Sequence, residues 1–181
     1  MAVEAPRIAV SASDYLYFTD RAVRGMAAIL VELGDEHACS RPSVPGANTP
    51  FGLLTHCLAV IEYWVGYVVA GRQVSRNRPA EFQATGTVAE LLPRVDQVLL
   101  QLAGDLHSVE SAAPLRNEPD AWTEGPDRPL TQAAALIHVY EEMAQHHGQL
   151  EILRDILLAE PEPKAEPEPE AEPEPKAEPA R

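Results

Sequence analysis

The stretch TPFGLLTHCLAVIEYWVGYVVAGR, residues 49–72, is apolar on nearly every side and decides what fold this chain can form. Thr49 followed by Pro50 predicts a helix start, because the threonine hydroxyl can cap free N–H groups and proline suits the first helical position. Gly71 is placed to end the helix. Since a helix that is apolar all round belongs inside a protein, we expect this one to be the most deeply buried.

Three further helices are predicted on either side of this segment. Before it, Ser13 is a candidate cap for a helix with apolar residues at helical spacing, and Gly34 is placed to end that helix. After it, residues 87–90, TVAE, match a capping box and open an amphipathic helix. The longest helix begins at Thr131 and reaches about Leu158. Proline-containing or polar connectors join these helices, at residues 37–49, 72–86 and 107–130. Four helices without a convincing strand pattern predict an all-α four-helix bundle.

The end of the chain has a different composition from the rest. Residues 159–181 contain eight Glu and seven Pro, and the octapeptide EPEPKAEP occurs twice. Alternating Glu and Pro disfavour both a helix and a packed core, so we expect an extended, disordered tail that serves solubility or spacing. The predicted organisation is therefore one helical bundle over residues 1–158 and a tail over 159–181.

Charge and cysteine content exclude several classes of function. With a net charge of −14 the chain offers no basic footprint, so neither nucleic acid nor an anionic membrane is an expected partner. Two cysteines provide neither a disulfide framework nor a Cys-rich zinc module. We expect a cytoplasmic protein, because the N-terminus lacks a signal-peptide pattern and the longest apolar run, VGYVVA, is far short of a membrane span.

A second informative stretch, HVYEEMAQHHGQLEILR at residues 138–154, lies in the last predicted helix. His138, Glu142 and His146 follow one another at intervals of four and therefore line one stripe of that helix. Because His138 and His146 are about 12 Å apart along the axis, one metal ion can bind two neighbours but not easily all three. Either His138 with Glu142 or Glu142 with His146 fits. Glu141 and His147 turn away from the stripe and are weaker candidates.

A third metal ligand has to come from another element, and His56 in the apolar helix is the candidate. An imidazole buried there without a partner is costly, and a metal or a hydrogen bond would satisfy it. Two histidines and a carboxylate leave an open position for water or substrate, as catalytic metal sites do. The simpler interpretations are a hydrogen-bonded core histidine and a solvent-facing Glu–His pair. Cys57 is expected to be a small buried filler.

Two stretches of the chain resemble one protein family. TPFGLLTHCLAVIEYWVGYVVAGR at 49–72 and LIHVYEEMAQHHGQLEILRDIL at 136–157 are similar to segments of the DinB-like metal-binding four-helix bundles. The nearest branch is known as DUF664, the mycothiol-dependent transferase or maleylpyruvate isomerase-like proteins. The similarity covers roughly residues 10–158 and excludes the tail, and it implies the same bundle fold.

The resemblance also implies which residues hold the divalent metal. In this family one His comes from the second helix, and an acidic residue or His comes with a second His, four apart, from the last helix. These positions correspond to His56, Glu142 and His146. His138 is then a candidate for supporting the ligands or lining the pocket. Related members often carry His where this chain has Gln149, so chemistry or specificity is expected to differ if that position touches substrate.

A reaction is implied by the same resemblance. We expect a metal-dependent transferase or isomerase in which the metal deprotonates a small thiol such as mycothiol and delivers it to an electrophile. Zinc is the first candidate metal, and Ni, Co or Fe(II) also suit imidazole and carboxylate ligands. The alternative function is a non-catalytic metal-binding bundle, a stress-related or binding protein. The expected partners are a thiol and an electrophile, and a homodimer is a family-level expectation.

Overall fold

The fold is known from a computed structural model of the 181-residue chain, which describes residues 9–121, 123 and 125–159. In chain order the helices are α1 (Ala12–Cys39), α2 (Pro50–Ile61) with a continuous π-helical segment (Glu62–Val69), α3 (Arg78–Glu81), α4 (Val88–Leu106) and α5 (Gln132–Ala159). These described ranges contain no strand, and the predicted all-α helical bundle is confirmed. The tail predicted for 159–181 lies outside the described residues except for Ala159, the last residue of α5.

Helix α2 is the centre of the bundle, as the sequence predicts. The Thr49 hydroxyl accepts a hydrogen bond from Gly52 N at 3.0 Å, and Pro50 occupies the first turn. Every residue of α2 is buried, and the helix contacts α1, α4 and α5. The functional consequence is that any polar side chain on α2 is held inside the protein.

The helical stretch Pro50–Val69 corrects one expectation about the apolar run. By length and hydropathy it is sufficient to cross a membrane, because the α-helix continues into the π-helical segment. However, 89% of its most apolar window is buried within the protein. Its composition therefore reflects its place in the core of the bundle.

The predicted start of α1 needs a correction, whereas its predicted end at Gly34 coincides with a kink between two helical runs. Its N-cap is Ser11, whose hydroxyl accepts from Asp14 N at 3.0 Å, and not Ser13. Gly34 has φ 68° and ψ 173°, which interrupts the helical conformation, but the helix resumes and runs to Cys39. Glycine tolerates this positive φ, and the buried Ala38 keeps the residues beyond the kink packed against the bundle. Gly34 therefore ends the first helical run, as predicted, and a second short run continues to Cys39.

The other two predicted helix starts agree closely with the structure. Thr87 and Glu90 form the reciprocal capping box at the start of α4. At α5 the Thr131 hydroxyl accepts from Ala134 N at 3.3 Å, and the helix begins one residue later. Both helix starts depend on local side-chain capping, which is why the sequence predicts them well.

The π-helical segment holds the long connector 107–130 against the bundle. A π-helix changes the hydrogen-bond pattern of its last turns, and here carbonyls of the segment accept from the connector. Val68 O accepts from Arg116 N and Asn117 N at 3.0 and 3.2 Å, and Tyr67 O accepts from Asn117 Nδ2 at 2.8 Å. The connector is thereby placed beside Trp64, whose ring contacts His138 of α5.

Candidate metal centre

Three side chains from two helices meet between α2 and α5. His56 projects from α2, and Glu142 and His146 project from adjacent turns of α5. One ligand atom from each lies within 4.8 Å of the others. Glu142 Oε2 is 3.9 Å from His56 Nε2 and 3.4 Å from His146 Nε2. Ligands about 2 Å from a tetrahedral metal are separated by roughly 3.4 Å, so this donor set and spacing fit one divalent ion.

The three side chains of this cluster differ in how deeply they are buried. The His56 side chain is 6% exposed, whereas those of His146 and Glu142 are 20% and 28% exposed. One side of the cluster is therefore sealed by the core, and the other can be reached from outside. Such a site can hold an ion firmly and still admit a small molecule.

Glu81 fixes the orientation of His56. Its Oε2 lies 2.8 Å from His56 Nδ1, and both side chains are 6% exposed. An ionised carboxylate only accepts hydrogen bonds, so Nδ1 carries the proton and Nε2 presents its lone pair toward Glu142. This is the arrangement found around metal-binding histidines, in which a second partner sets the tautomer and the ring orientation.

Arg76 in turn fixes Glu81. Its Nε donates to Glu81 Oε1 at 2.8 Å and its Nη2 donates to Oε2 at 3.0 Å, a two-point contact that locks the carboxylate plane. On its other side, the His56 ring stacks on Phe82 at a centroid distance of 4.5 Å. The connector 72–86, which contains α3, thus supplies both the hydrogen-bonding and the packing partners of the buried histidine.

Gln149 has the corresponding role at His146. Its Oε1 lies 2.9 Å from His146 Nδ1, on the next turn of α5. Because an amide oxygen is an acceptor, Nδ1 donates the hydrogen bond and Nε2 is left to face Glu142. The position at which the sequence departs from the family pattern therefore holds one of the clustered histidines in place.

The ionisation states of the cluster follow from these contacts. Close contact with the imidazoles of His146 and then His56 holds the pKa of Glu142 well below its usual range. Burial by itself lowers the pKa of His56, but the contacts with the carboxylates of Glu142 and Glu81 outweigh it, so the pKa is raised. Burial likewise acts to raise the pKa of Glu81, yet the contacts with His56 and Arg76 lower it overall. Both carboxylates are ionised at neutral pH.

His138 is near the cluster but is not part of it. Among the described residues it is absent from the group whose ligand atoms converge. Its ring meets Trp64 edge-on at 4.8 Å, and it lines a cavity of about 30 Å³ together with His56 and Glu142. Of the two pairs that helical spacing leaves open, the structure brings Glu142 and His146 to His56.

The weaker candidates lie elsewhere. Glu141 is 57% exposed and accepts a hydrogen bond from Gln145. His147 packs against α1, where its imidazole covers Gly25 so closely that a Cβ there would overlap it. Cys57 is fully buried, and burial raises the pKa of its thiol well above the usual value. A thiol in that state is a core filler and a poor nucleophile.

A match to a known family appears over most of the chain. The family model described as Mycothiol-S-transferase matches residues 15–158. The chain belongs to the mycothiol S-transferase family. This family is DinB-like, so the resemblance carried by residues 49–72 and 136–157 is confirmed. Among curated proteins, no relative matches this mycothiol S-transferase family member.

Proposed function

We propose that this mycothiol S-transferase family member is a metal-dependent enzyme that transfers a small thiol to an electrophile or uses the thiol to isomerise the electrophile. Mycothiol is the first candidate for the thiol. The observation that carries the proposal is the convergence of one ligand atom each from His56, Glu142 and His146 within 4.8 Å of one another. The family match supports a thiol-linked substrate.

The proposed metal ligands are His56, Glu142 and His146. Neutral imidazoles and a carboxylate suit zinc first, with Ni, Co or Fe(II) as alternatives. Bound there, a divalent cation lowers the pKa of a coordinating thiol and so supplies a thiolate at neutral pH.

The protein's own residues prepare this centre for the reaction. Glu81 keeps the proton of His56 on Nδ1, and Gln149 keeps that of His146 on Nδ1, so both Nε2 lone pairs point inward. Trp64 and Val60 supply the apolar part of the lining of the neighbouring cavity. The polar part of its lining consists of Arg76, Arg78, His56, His138 and Glu142.

The remaining proposals concern organisation and location. We propose residues 1–158 as the functional domain and 159–181 as a solvated tail. A reducing compartment, the cytoplasm, suits a protein that uses a free thiol and carries two unpaired cysteines of its own. A homodimer is proposed from the family alone.

The first experiment measures metal content and thiol transfer together. Full-length protein purified without chelator should hold about one divalent ion per chain, and His56→Ala, Glu142→Ala and His146→Ala should each lose it. His107→Ala is the matched control, since His107 is exposed at the end of α4. The zinc-loaded protein should then accelerate the reaction of mycothiol with an alkyl halide probe.

The outcomes separate the two functional classes. Metal loss in the three variants, with transfer in the wild type, supports the enzyme. Stoichiometric metal without transfer from mycothiol, cysteine or glutathione would leave a metal-binding bundle without catalysis. Metal retained by all three variants would remove the proposed centre altogether.

A further inference from the structure

His138 carries a buried polar atom that nothing in the described chain satisfies. Its side chain is 8% exposed, and Nε2 has no hydrogen-bond partner among the residues that the structure describes. Its other nitrogen, Nδ1, is 3.8 Å from Glu141 Oε2, beyond hydrogen-bonding distance. Buried polar groups are nearly always paired, and an exception calls for a ligand, a water or a functional role.

The surroundings of His138 place its side chain beside the candidate metal centre. His138 is one helical turn before Glu142, and the two side chains line the same cavity with His56. Trp64 meets the imidazole edge-on, and a Cβ added to Gly125 would lie 3.9 Å from Nε2, so the connector also approaches the ring. The imidazole therefore has little freedom to turn toward another partner.

The size of the cavity limits what can occupy it. At about 30 Å³ it has room for one or two water-sized groups and not for a whole substrate. The sulfur of a thiol is a group of that size, and the proposed centre brings such a sulfur next to Glu142 and His56. A sulfur that carries negative charge accepts hydrogen bonds, and an imidazole N–H is a suitable donor.

We propose that His138 is a catalytic residue that donates a hydrogen bond from Nε2 to the sulfur of the thiol cosubstrate, an inference that rests on the proposed function. The hydrogen bond favours the charged form of the sulfur and holds it in one position for attack on the electrophile. No covalent bond to His138 forms, and its proton stays on the ring. The unpaired nitrogen of the free protein is thus a binding group awaiting its partner.

The test is calorimetric binding of mycothiol to the zinc-loaded full chain, for the wild type, His138→Leu and His138→Gln. Leu removes the donor with little change in volume, and Gln restores an N–H donor. We expect His138→Leu to bind the thiol about ten- to a hundredfold more weakly and His138→Gln to recover most of the affinity. His107→Leu on the exposed end of α4 is the control and should bind normally.

Two further readouts separate a binding role from a structural one. All variants should keep the wild-type zinc content, and His138→Leu without thiol should unfold at a temperature no lower than the wild type, because it removes an unpaired buried nitrogen. Zinc loss, a lower unfolding temperature or unchanged mycothiol affinity in His138→Leu would each overturn the role of His138. A zinc-loaded wild type that binds no mycothiol would overturn the proposed function as well, so the two failures are distinguishable.

Discussion

His56 Nδ1 lies 2.8 Å from Glu81 Oε2, and this contact joins the core helix α2 to the connector between residues 72 and 86. The guanidinium of Arg76 in turn donates hydrogen bonds to both carboxylate oxygens of Glu81. All three side chains are at most 6% exposed. The orientation of the His56 imidazole is therefore set by Glu81, which lies outside α2 and is itself held in place by Arg76.

Replacing Glu81 with Gln should weaken zinc binding about 10- to 100-fold, the usual effect of losing the carboxylate partner of a metal-binding histidine. The reason is that the amide supports the required tautomer of His56 less strongly and no longer neutralises Arg76. Chelator competition measures the affinity directly. Glu36→Gln, at an exposed position of α1, is the matched control. Equal zinc affinity in Glu81→Gln and the wild type would contradict an orienting role.

The same substitution should also affect folding. Arg76 is 4% exposed, and Glu81→Gln removes the charge of the carboxylate that lies 2.8 Å from its Nε. Loss of one member of a buried ion pair costs about 3 kcal/mol in the free energy of unfolding. Chemical denaturation of the metal-free proteins measures this loss of unfolding free energy separately from zinc affinity.

Two substitutions of Gln149 should change zinc affinity in opposite directions. Gln149→Ala should lower zinc affinity about tenfold because His146 loses the acceptor for its Nδ1 proton. Gln149→Glu should raise it, since a carboxylate makes a stronger hydrogen bond and increases the basicity of the ring. Gln145→Ala is the control, because Gln145 bonds the exposed Glu141 and not the cluster. If Ala and Glu at position 149 shifted zinc affinity in the same direction, the hydrogen bond would not be the cause.

Metal-free and metal-loaded protein should respond to pH in opposite directions. Without metal, the raised pKa of His56 gives stability that is complete below the unfolded value of about 6.5 and is lost as pH rises through the folded value. The lowered pKa of Glu142 gives stability that is present above about 4.3 and is lost as pH falls through the folded value. The metal-free cluster is therefore most stabilising near pH 5 to 6.

Zinc reverses this dependence because it competes with protons for the histidines. The stability difference between zinc-loaded and metal-free protein should grow from pH 5.5 to pH 8.5 and reach about 3 kcal/mol when free zinc is a hundredfold above its dissociation constant. Urea denaturation with zinc or with chelator measures it. In His146→Ala the difference should be small at every pH. A difference that stays constant in the wild type would argue against imidazole ligands.

Helix boundaries that depend on local signals could be predicted from the sequence, whereas a helical run held by tertiary packing could not. The starts of α2 and α4 depend on capping groups within three residues, so Thr49 and Thr87 indicate them directly. Gly34 likewise marks where the first helical run of α1 ends, but the sequence does not indicate that a helix resumes over residues 35–39. Ala38 in this second run is buried, and such packing has no local signature.

The candidate site shows a similar division. Helical spacing alone leaves His138 with Glu142 and Glu142 with His146 equivalent, because which turn of α5 faces His56 depends on how two distant helices pack. The family resemblance selects the second pair. Glu81 could not be predicted, because its contact with His56 spans 25 residues and joins a helix to a connector, where no periodic pattern marks it. The only signal for it in the sequence is the need of a buried imidazole for a second partner.

The connector over the candidate site provides the last prediction. The Tyr63 hydroxyl accepts from Asp120 N at 2.8 Å and from Thr123 Oγ1 at 3.1 Å, and it donates to Asp120 Oδ2 at 3.0 Å. Burial raises the pKa of Tyr63, so the donor proton is present at neutral pH. Tyr63→Phe should lower the free energy of unfolding by about 0.5 to 1.5 kcal/mol, because the hydrogen bonds of the hydroxyl with Asp120 and Thr123 are lost.

Hydrogen exchange distinguishes the two ways in which this loss could arise. If the hydroxyl fastens the connector, exchange in Tyr63→Phe should accelerate at the Asp120 amide, while α2 amides keep their protection because the ring still fills the core. Tyr17→Phe, at a position 61% exposed on α1, is the control and should leave both regions unchanged. Acceleration spread equally over α2 would mean that the hydroxyl matters for global folding. Acceleration confined to the connector would mean that a single phenol holds the wall beside Trp64 and His138 in place.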